Sequence, residues 1–220
     1  MNTNEKGWKY LMLSFLAFAG LGLELVIVMT LSSLIGQQVG FHSPPMHLII
    51  HWILTCITWL GVAWLLLYNA KKRYGFDAFT AKMYIKGWQW IVVFVLFIVS
   101  FLMSFNNWGG FKPILELKAN GLLLFIFQYI YYIVETILVL LIIVFGQKAF
   151  DMWTKKPIIP WGGLVCALTW GAVHIISRGV FDINNALFSS LVSLMFGTVY
   201  LLVNKDIKIA YIVILLMFIL

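Results

Sequence analysis

The chain has 220 residues, of which 63% are hydrophobic and 10% are charged, and its mean hydropathy is +0.98. An average soluble domain is about half apolar and about a quarter charged, so these values exclude a soluble globular protein, a disordered segment and a nucleic-acid-binding domain. The formal net charge of +7 does not indicate DNA as a partner, because the basic residues lie in short segments between apolar runs, where they set membrane topology. The composition predicts an all-α, polytopic membrane protein whose first partner is the lipid bilayer.

Seven apolar runs can be read as transmembrane helices, since about 20 residues cross the hydrocarbon core. They cover approximately residues 8–36, 47–69, 83–105, 121–146, 161–178, 184–203 and 207–220. The first run is too long for a signal peptide and is expected to be retained. The last has roughly 14 residues, which reach about 21 Å as a helix, so it is a short span at best. We interpret 1–220 as a single membrane domain, with peripheral N-terminal helices over 1–120 and core helices over 121–220.

The distribution of Lys and Arg predicts that the N-terminus lies in the cytoplasm. Short inner loops are enriched in these residues, and this orientation leaves only Lys112, Lys118 and Arg178 outside. The inner side then collects Lys6, Lys9, Lys71, Lys72, Arg73, Lys82, Lys86, Lys148, Lys155, Lys156, Lys205 and Lys208. Short loops with this bias suit an integral protein of a bacterial plasma membrane.

Ionisable side chains inside an apolar span cost several kcal/mol unless they are partnered, so each is a candidate functional residue. Three stand out: Glu24 in span one, Glu135 in span four and His174 in span five. Offsets of three, four and seven residues place further polar groups on the helical face of Glu135, which should point to the bundle interior or to a water-filled pocket. These groups are Gln128, Tyr131 and Tyr132.

Glu135 and His174 are predicted to lie at similar depths in the membrane. Counted from the cytoplasmic ends of their spans, they lie about 11 and about 13 residues deep, a difference of roughly 3 Å. The short loop between the spans favours their being neighbours, and Trp170, one turn before His174, would support the pair. A carboxylate beside an imidazole can activate water, with the carboxylate as general base. A structural hydrogen bond between two helices fits the same spacing.

Two further polar features have both a packing and a functional interpretation. Glu24 follows Gly20 and Gly22, which allow close approach of another helix, so we expect it to bind a Tyr, Gln or His between helices, with substrate contact as the alternative. In span six, small polar residues recur at steps of four on one face, which favours helix packing or a pocket wall beside His174. They are Asn185, Ser189 and Ser193, followed by Gly197.

No metal or other cofactor is predicted. His47 and His51 form an H-x3-H pair, which is half of a metal site. His42 could add a third ligand, but no Asp or Glu lies close in sequence, and a haem would need an axial partner such as His174. Span seven has no central Lys for a retinal Schiff base, and no G-x-S-x-G motif indicates a serine hydrolase.

Residues 127–220 resemble the CPBP family, the CAAX-protease and bacteriocin-processing proteins also called Abi. Residues 167–174 are similar to the family's second motif, F-x-x-x-H. Trp170 takes the position of the Phe, and His174 follows four residues later. Residues 194–202 resemble the small-residue helix that follows, and 144–147 resemble the tail of the first motif. The resemblance implies a glutamate-dependent intramembrane endopeptidase, in which Glu activates water, His assists, and a His/Asn pair holds the oxyanion.

The sequence departs from this family at two motifs. The first, E-E-x-x-x-R, is incomplete, because Thr136 follows Glu135 and no Arg lies four residues beyond; the family's usual spacing would put the glutamates on Leu141 and Ile142. The last, H-x-x-x-N, has no counterpart in 207–220. Removing one oxyanion donor typically costs about 2.7–4 kcal/mol, so the departures bear directly on activity.

Two hypotheses follow. In the first, Glu135 is the general base and His174 its partner in an endopeptidase that cleaves a membrane-embedded, prenylated or bacteriocin-like peptide, in a cavity open to the cytoplasm or laterally to lipid. In the second, the chain is an inactive pseudoprotease that acts as a binding or bacteriocin-immunity protein, whose function is lost when the cavity is filled, for example by Gly171→Leu. A small transporter or sensor is less favoured, because the sequence shows no broken-helix repeats.

Overall fold

Helices account for nearly all of the part of the chain that the computed structural model describes, namely residues 3–40, 43–80, 84–176 and 181–220. Within these ranges there are seven α helices: α1 (Thr3–Ile35), α2 (Pro45–Tyr74), α3 (Gly87–Trp108), α4 (Lys112–Thr154), α5 (Trp161–Cys166), α6 (Ile183–Leu202) and α7 (Ile207–Ile219). A π-helical turn, Ala167–Gly171, continues α5. The predicted all-α class is confirmed. His42, Lys82 and Arg178 lie outside the described residues.

Five of these helices are long and apolar enough to cross a membrane, namely α1, α2, α3, α4 and α6. The fifth and seventh predicted spans correspond to shorter helices. α5 and its π-helical turn cover only 161–171, and α7 has 13 residues. Each of the seven apolar runs therefore contains a helix, but the seven expected spans, of which the last was predicted to be short, become five long helices and two short ones among the described residues.

Helix α4 is the centre of the bundle. Its stretch from Leu138 to Phe145 is almost completely buried, because α1 and α2 pack on one side and α5 to α7 on the other. The hydroxyl of Ser14 in α1 donates a 2.7 Å hydrogen bond to the carbonyl of Ile142. A continuously apolar helix is expected to be buried all round, and the second half of the 121–146 run takes this position, whereas Leu122 and Leu123 in its first half are exposed.

Close backbone contacts hold α5 between α4 and α6. A Cβ on Gly162 would overlap the carbonyl oxygen of Ile143, and a Cβ on Gly197 would overlap the backbone of Gly163. The side chain of Gln147 completes the junction: its Oε1 accepts from the Gly162 N–H at 2.9 Å, and its Nε2 donates to the Ile159 carbonyl at 3.0 Å. Small residues at such crossings allow the helices to approach within backbone contact.

The antiparallel order of the helices gathers most basic segments at one end of the bundle, which we call the basic end. It contains the first turns of α1, the last turns of α2 and α4, and the connection from α6 to α7. Lys9 lies 5.5 Å from the ring centroid of Tyr74, and Lys205 forms an ion pair with Asp151. The opposite end, with the last turn of α3 and the first turn of α6, is called the distal end.

Helix α4 is broken near its start. Gly121 has φ 70° and ψ 168°, a backbone conformation that is essentially restricted to glycine. The preceding segment, 112–120, therefore folds back along α4, so that Glu116 reaches Tyr132 although the two are 16 residues apart. Neither the helical segment 112–120 nor the break at Gly121 is predicted by the sequence pattern.

Candidate functional site

A polar cavity of about 220 Å³ lies near the distal end of the bundle, between α3, α4, α6, α7 and the π-helical turn. Both Glu135 and His174 line this cavity. The structure therefore brings together the two residues that were predicted to be neighbours from their similar depths. The complete lining consists of Ser104, Asn107, Trp108, Lys112, Tyr132, Glu135, Trp170, His174, Asn185, Phe188, Ser189, Val192, Met217 and Phe218.

Trp170 connects the two candidate catalytic groups. Its indole Nε1 donates a 3.1 Å hydrogen bond to Oε1 of Glu135, and its ring meets the imidazole of His174 edge-on, with centroids 4.5 Å apart. The backbone carbonyl of Trp170 lies 2.6 Å from Nδ1 of His174. Because a carbonyl oxygen only accepts, Nδ1 carries a proton, and in the neutral imidazole the lone pair is then on Nε2.

Helix α6 supplies the next wall of the cavity through Asn185 and Ser189. The amide of Asn185 donates a 3.1 Å hydrogen bond to the backbone carbonyl of His174, and so ties the end of the π-helical region to α6. Farther along the predicted stripe, Ser193 donates to the Ser189 carbonyl at 2.8 Å and Gly197 packs on Gly163. The stripe therefore lines the cavity in its first half and packs helices in its second half.

Lys112 is a cavity residue that the sequence analysis had placed among the outer loop charges. Its side chain is only 7% exposed. The ammonium donates a 3.0 Å hydrogen bond to the Phe218 carbonyl and lies 4.5 Å from the ring centroid of Tyr132 and 5.2 Å from that of Phe218. These aromatic faces stabilise a buried cation.

Glu116 was also missed, and it is 4% exposed. Its Oε1 accepts from the Tyr132 hydroxyl at 2.7 Å and from the Gln128 amide at 3.1 Å, and its Oε2 accepts from the Tyr129 hydroxyl at 3.0 Å. This network holds segment 112–120 against α4. The one available signal was the spacing of four between Lys112 and Glu116, which places both on one helical face.

Three residues that were predicted to support the site lie outside the cavity lining, namely Gln128, Tyr131 and Glu24. Gln128 binds Glu116 and Tyr132. The hydroxyl of Tyr131 donates a 2.8 Å hydrogen bond to Oε2 of Glu24. The prediction of one shared polar face is wrong for Tyr131, because a side chain four residues before Glu135 can still lean toward α1 and α2 on the other flank of α4.

Glu24 joins α1, α2 and α4, in agreement with the packing interpretation of this residue. Besides its bond from Tyr131, its Oε1 lies 3.5 Å from Nε2 of His51. His51 thus faces a carboxylate from another helix, which its neighbours in sequence did not reveal. Among the described residues, no group of three or more His, Cys, Asp or Glu side chains could hold a metal ion.

No known protein family, curated protein or solved structure matches this chain. The chemistry of the site is therefore argued from its own geometry. The cavity combines a carboxylate that can accept a proton, an imidazole, and N–H donors from Lys112 and Asn185, while the single N–H of Trp170 is donated to Glu135. Such a set can bind a polar group, and it contains the elements needed to activate water against a carbonyl.

Proposed function

We propose that this protein is a glutamate-dependent intramembrane endopeptidase, a divergent relative of the CPBP family, that cleaves a membrane-associated peptide. The observation that supports the proposal is the convergence of Glu135, His174, Lys112 and Asn185 on one polar cavity within an apolar helical bundle. Ionisable groups are costly within the membrane, so each is by default a candidate functional residue. The proposal includes a bacterial plasma membrane and an N-terminus in the cytoplasm, so that the basic end faces inward.

In the proposed reaction, Glu135 accepts a proton from a water molecule as the water oxygen attacks the peptide carbonyl carbon. The carbonyl oxygen becomes negatively charged, and the tetrahedral intermediate then expels the amine as the C–N bond breaks. The proton held by Glu135 passes to the leaving nitrogen. His174 orients the water through the ring nitrogen that does not face the Trp170 carbonyl.

The developing oxyanion requires hydrogen-bond donors, and the family's H-x-x-x-N motif is absent. The structure offers two other donors in the same cavity, the Lys112 ammonium and the Asn185 amide. One well-placed donor is worth about 2.7–4 kcal/mol of transition-state stabilisation. We therefore assign the oxyanion-binding role to Lys112 and Asn185, which lie on segments that the family resemblance does not connect with this role.

The position of the cavity determines where a substrate can enter. The cavity lies near the distal end, whereas the sequence analysis expected an opening to the cytoplasm or sideways to lipid. With the basic end inside, a substrate would enter from the outer half of the bilayer or from the outer surface. A peptide that crosses or enters the membrane from outside fits this arrangement better than a cytoplasmic prenylated tail.

The decisive experiment compares wild type, Glu135→Gln and Glu24→Gln, each purified in lipid nanodiscs. Each is incubated in H₂¹⁸O with peptides released from bacterial membranes, and new carboxyl termini carrying ¹⁸O are identified by mass spectrometry. A general base contributes about 10²–10⁴-fold, so labelled termini should be at least about 100-fold fewer with Glu135→Gln. Glu24→Gln removes a half-buried carboxylate that lies outside the cavity lining, and it should retain activity. Equal labelling with wild type and Glu135→Gln would refute the proposal.

A second candidate is an inactive pseudoprotease that binds a peptide or confers bacteriocin immunity. One observation favours it: Trp170 already hydrogen-bonds the Glu135 carboxylate, which would have to accept a proton in the endopeptidase. Gly171→Leu is unsuitable for its test, because a Cβ at Gly171 would lie 2.8 Å from Cα of Ser190 and would separate α6 from the π-helical turn.

Ser189→Leu is the better cavity-filling variant, since Ser189 points into the cavity wall. For the binding protein, a survival phenotype in a bacteriocin challenge should persist with Glu135→Gln and with His174→Gln, and should be lost with Ser189→Leu. For the endopeptidase, the same phenotype should be lost with Glu135→Gln.

A further inference from the structure

A second cavity lies on the opposite flank of α4 and is unlike the first in chemistry. It is a largely apolar groove of about 810 Å³, formed by α2, α4, α7 and the connection that follows α2. It shares no lining residue with the polar cavity. The groove is therefore a separate candidate site.

The length of the groove is close to half the thickness of a membrane. On α2 its lining begins at Leu60 and ends at Lys71, a distance of about 16 Å at 1.5 Å per residue. This is close to half of the roughly 30 Å hydrocarbon core. Trp64 is 64% exposed and Ile212 is 58% exposed, so the groove is accessible from the lipid side along its length.

Charged groups are confined to the end of the groove that belongs to the basic end. They are Lys71, Lys208 and Asp77. Asp77 forms a 2.8 Å ion pair with Lys71, which offsets that charge, while Lys208 is exposed at the first turn of α7. Two cations and one anion leave the groove end positive.

Aromatic side chains mark the same level of the bundle. The rings of Trp64 and Tyr68 stack at 5.6 Å between centroids, and the Tyr68 hydroxyl accepts a 2.6 Å hydrogen bond from Lys72. Exposed Trp and Tyr with nearby Lys are typical of the boundary between acyl chains and headgroups. The groove therefore runs from the acyl region up to the headgroup region.

We propose that this groove is a binding site for one anionic phospholipid. Its acyl chain lies along the apolar walls of α2 and α7, and its phosphate contacts Lys208 and Lys71. The apolar length matches one leaflet, and the positive charge at the headgroup level matches an anionic lipid. The site is independent of the proposed endopeptidase activity.

The test uses phosphatidylglycerol with a diazirine near the end of one acyl chain, and phosphatidylcholine with the same acyl chain, in nanodiscs that contain the full-length protein. After photolysis, crosslinks to 60–68 and 207–212 are quantified by mass spectrometry. A Lys near the membrane surface contributes about 1 kcal/mol toward an anionic lipid, which corresponds to about fivefold. Phosphatidylglycerol should therefore label the groove about fivefold more than phosphatidylcholine.

Variants of the charged end distinguish a specific lipid-binding site from nonspecific contact with bulk lipid. Lys208→Gln should reduce the preference for phosphatidylglycerol by about fivefold, and Asp77→Asn, which releases Lys71, should increase it by a similar factor. Lys156→Gln removes an exposed Lys from the basic end outside the groove and should change nothing. Equal labelling by both lipids in wild type and in all three variants would show that the groove contacts bulk lipid only, and it would overturn the proposal.

Variants of the apolar walls test the location of the acyl chain. Leu60→Trp and Ile212→Trp should each lower groove labelling severalfold, whereas Leu65→Trp, an exposed position on α2 outside the groove, should not. Labelling that is unaffected by both filling variants would overturn the proposal, as would crosslinks between two copies of the chain across the groove. None of these results depends on whether Glu135→Gln abolishes hydrolysis.

Discussion

The indole Nε1 of Trp170 lies 3.1 Å from Oε1 of Glu135, and this hydrogen bond joins the π-helical turn to the central helix. The carbonyl of the same residue faces Nδ1 of His174 at 2.6 Å. Trp170 thus positions a carboxylate from α4 and an imidazole from the turn that follows the π-helical region. A Phe at this position could fill the space but could not donate a hydrogen bond.

Trp170→Phe tests this relationship. The ring is largely kept, but the half-buried Glu135 carboxylate loses its donor, which typically costs about 1–3 kcal/mol. We expect the free energy of unfolding in detergent micelles to fall by that amount. Trp64→Phe, at an exposed lipid-facing position, is the matched control and should stay within about 0.5 kcal/mol of wild type. Equal free energies of unfolding for the two variants would show that the hydrogen bond contributes nothing to stability.

Replacing two glycines of the bundle by alanine should change the stability of the protein in opposite directions. A Cβ on Gly162 would overlap the Ile143 carbonyl, whereas a Cβ on Gly61 in α2 meets no other atom within 4 Å. Gly162→Ala should therefore force α5 away from α4 and cost at least about 1–3 kcal/mol from overpacking. Gly61→Ala should stabilise by about 0.4–1 kcal/mol, since alanine restricts the unfolded chain. Thermal unfolding in nanodiscs measures both, and a loss of stability with Gly61→Ala would contradict the packing described here.

The sequence predicted the helices well, because hydrophobic length and the basic loops between them are local properties of the chain. It also predicted that Glu135 and His174 lie at one depth, since a helix converts residue counts into distance. Glu24 was expected to find a Tyr, Gln or His, and it contacts both Tyr131 and His51. These predictions required only helix geometry and the cost of an unpaired charge in lipid.

The remaining parts of the site depended on contacts that sequence spacing does not encode. Lys112 was counted as a loop charge, because nothing local shows that the break at Gly121 folds its segment back onto α4. The same break brings Glu116 to Tyr132. The side on which Tyr131 lies was decided by packing against Trp59, with centroids 4.8 Å apart, rather than by its offset from Glu135.

Glu116 should be essential for the folded-back segment. Glu116→Leu removes the acceptor for two tyrosine hydroxyls and one amide, and removing one partner from a buried polar network costs about 3 kcal/mol or more. We expect backbone amides of 112–120 to exchange hydrogen for deuterium at least about tenfold faster, while those of 134–149 keep their protection. Lys118→Gln changes an exposed charge on the same segment and is the control. Unchanged exchange with Glu116→Leu would mean that the network does not hold the segment.

The proposed orientation predicts which ends of the helices a membrane-impermeant reagent can reach. Cys56 and Cys166 are buried, so a single cysteine introduced at an exposed site should dominate labelling by a charged maleimide in intact spheroplasts. Lys118→Cys, at the distal end, should be labelled before lysis, and Lys156→Cys, at the basic end, only after lysis. The reason is that short loops rich in Lys and Arg are retained in the cytoplasm. The reverse pattern would place the basic end outside, and it would move both the entrance of the polar cavity and the anionic-lipid groove to the other leaflet.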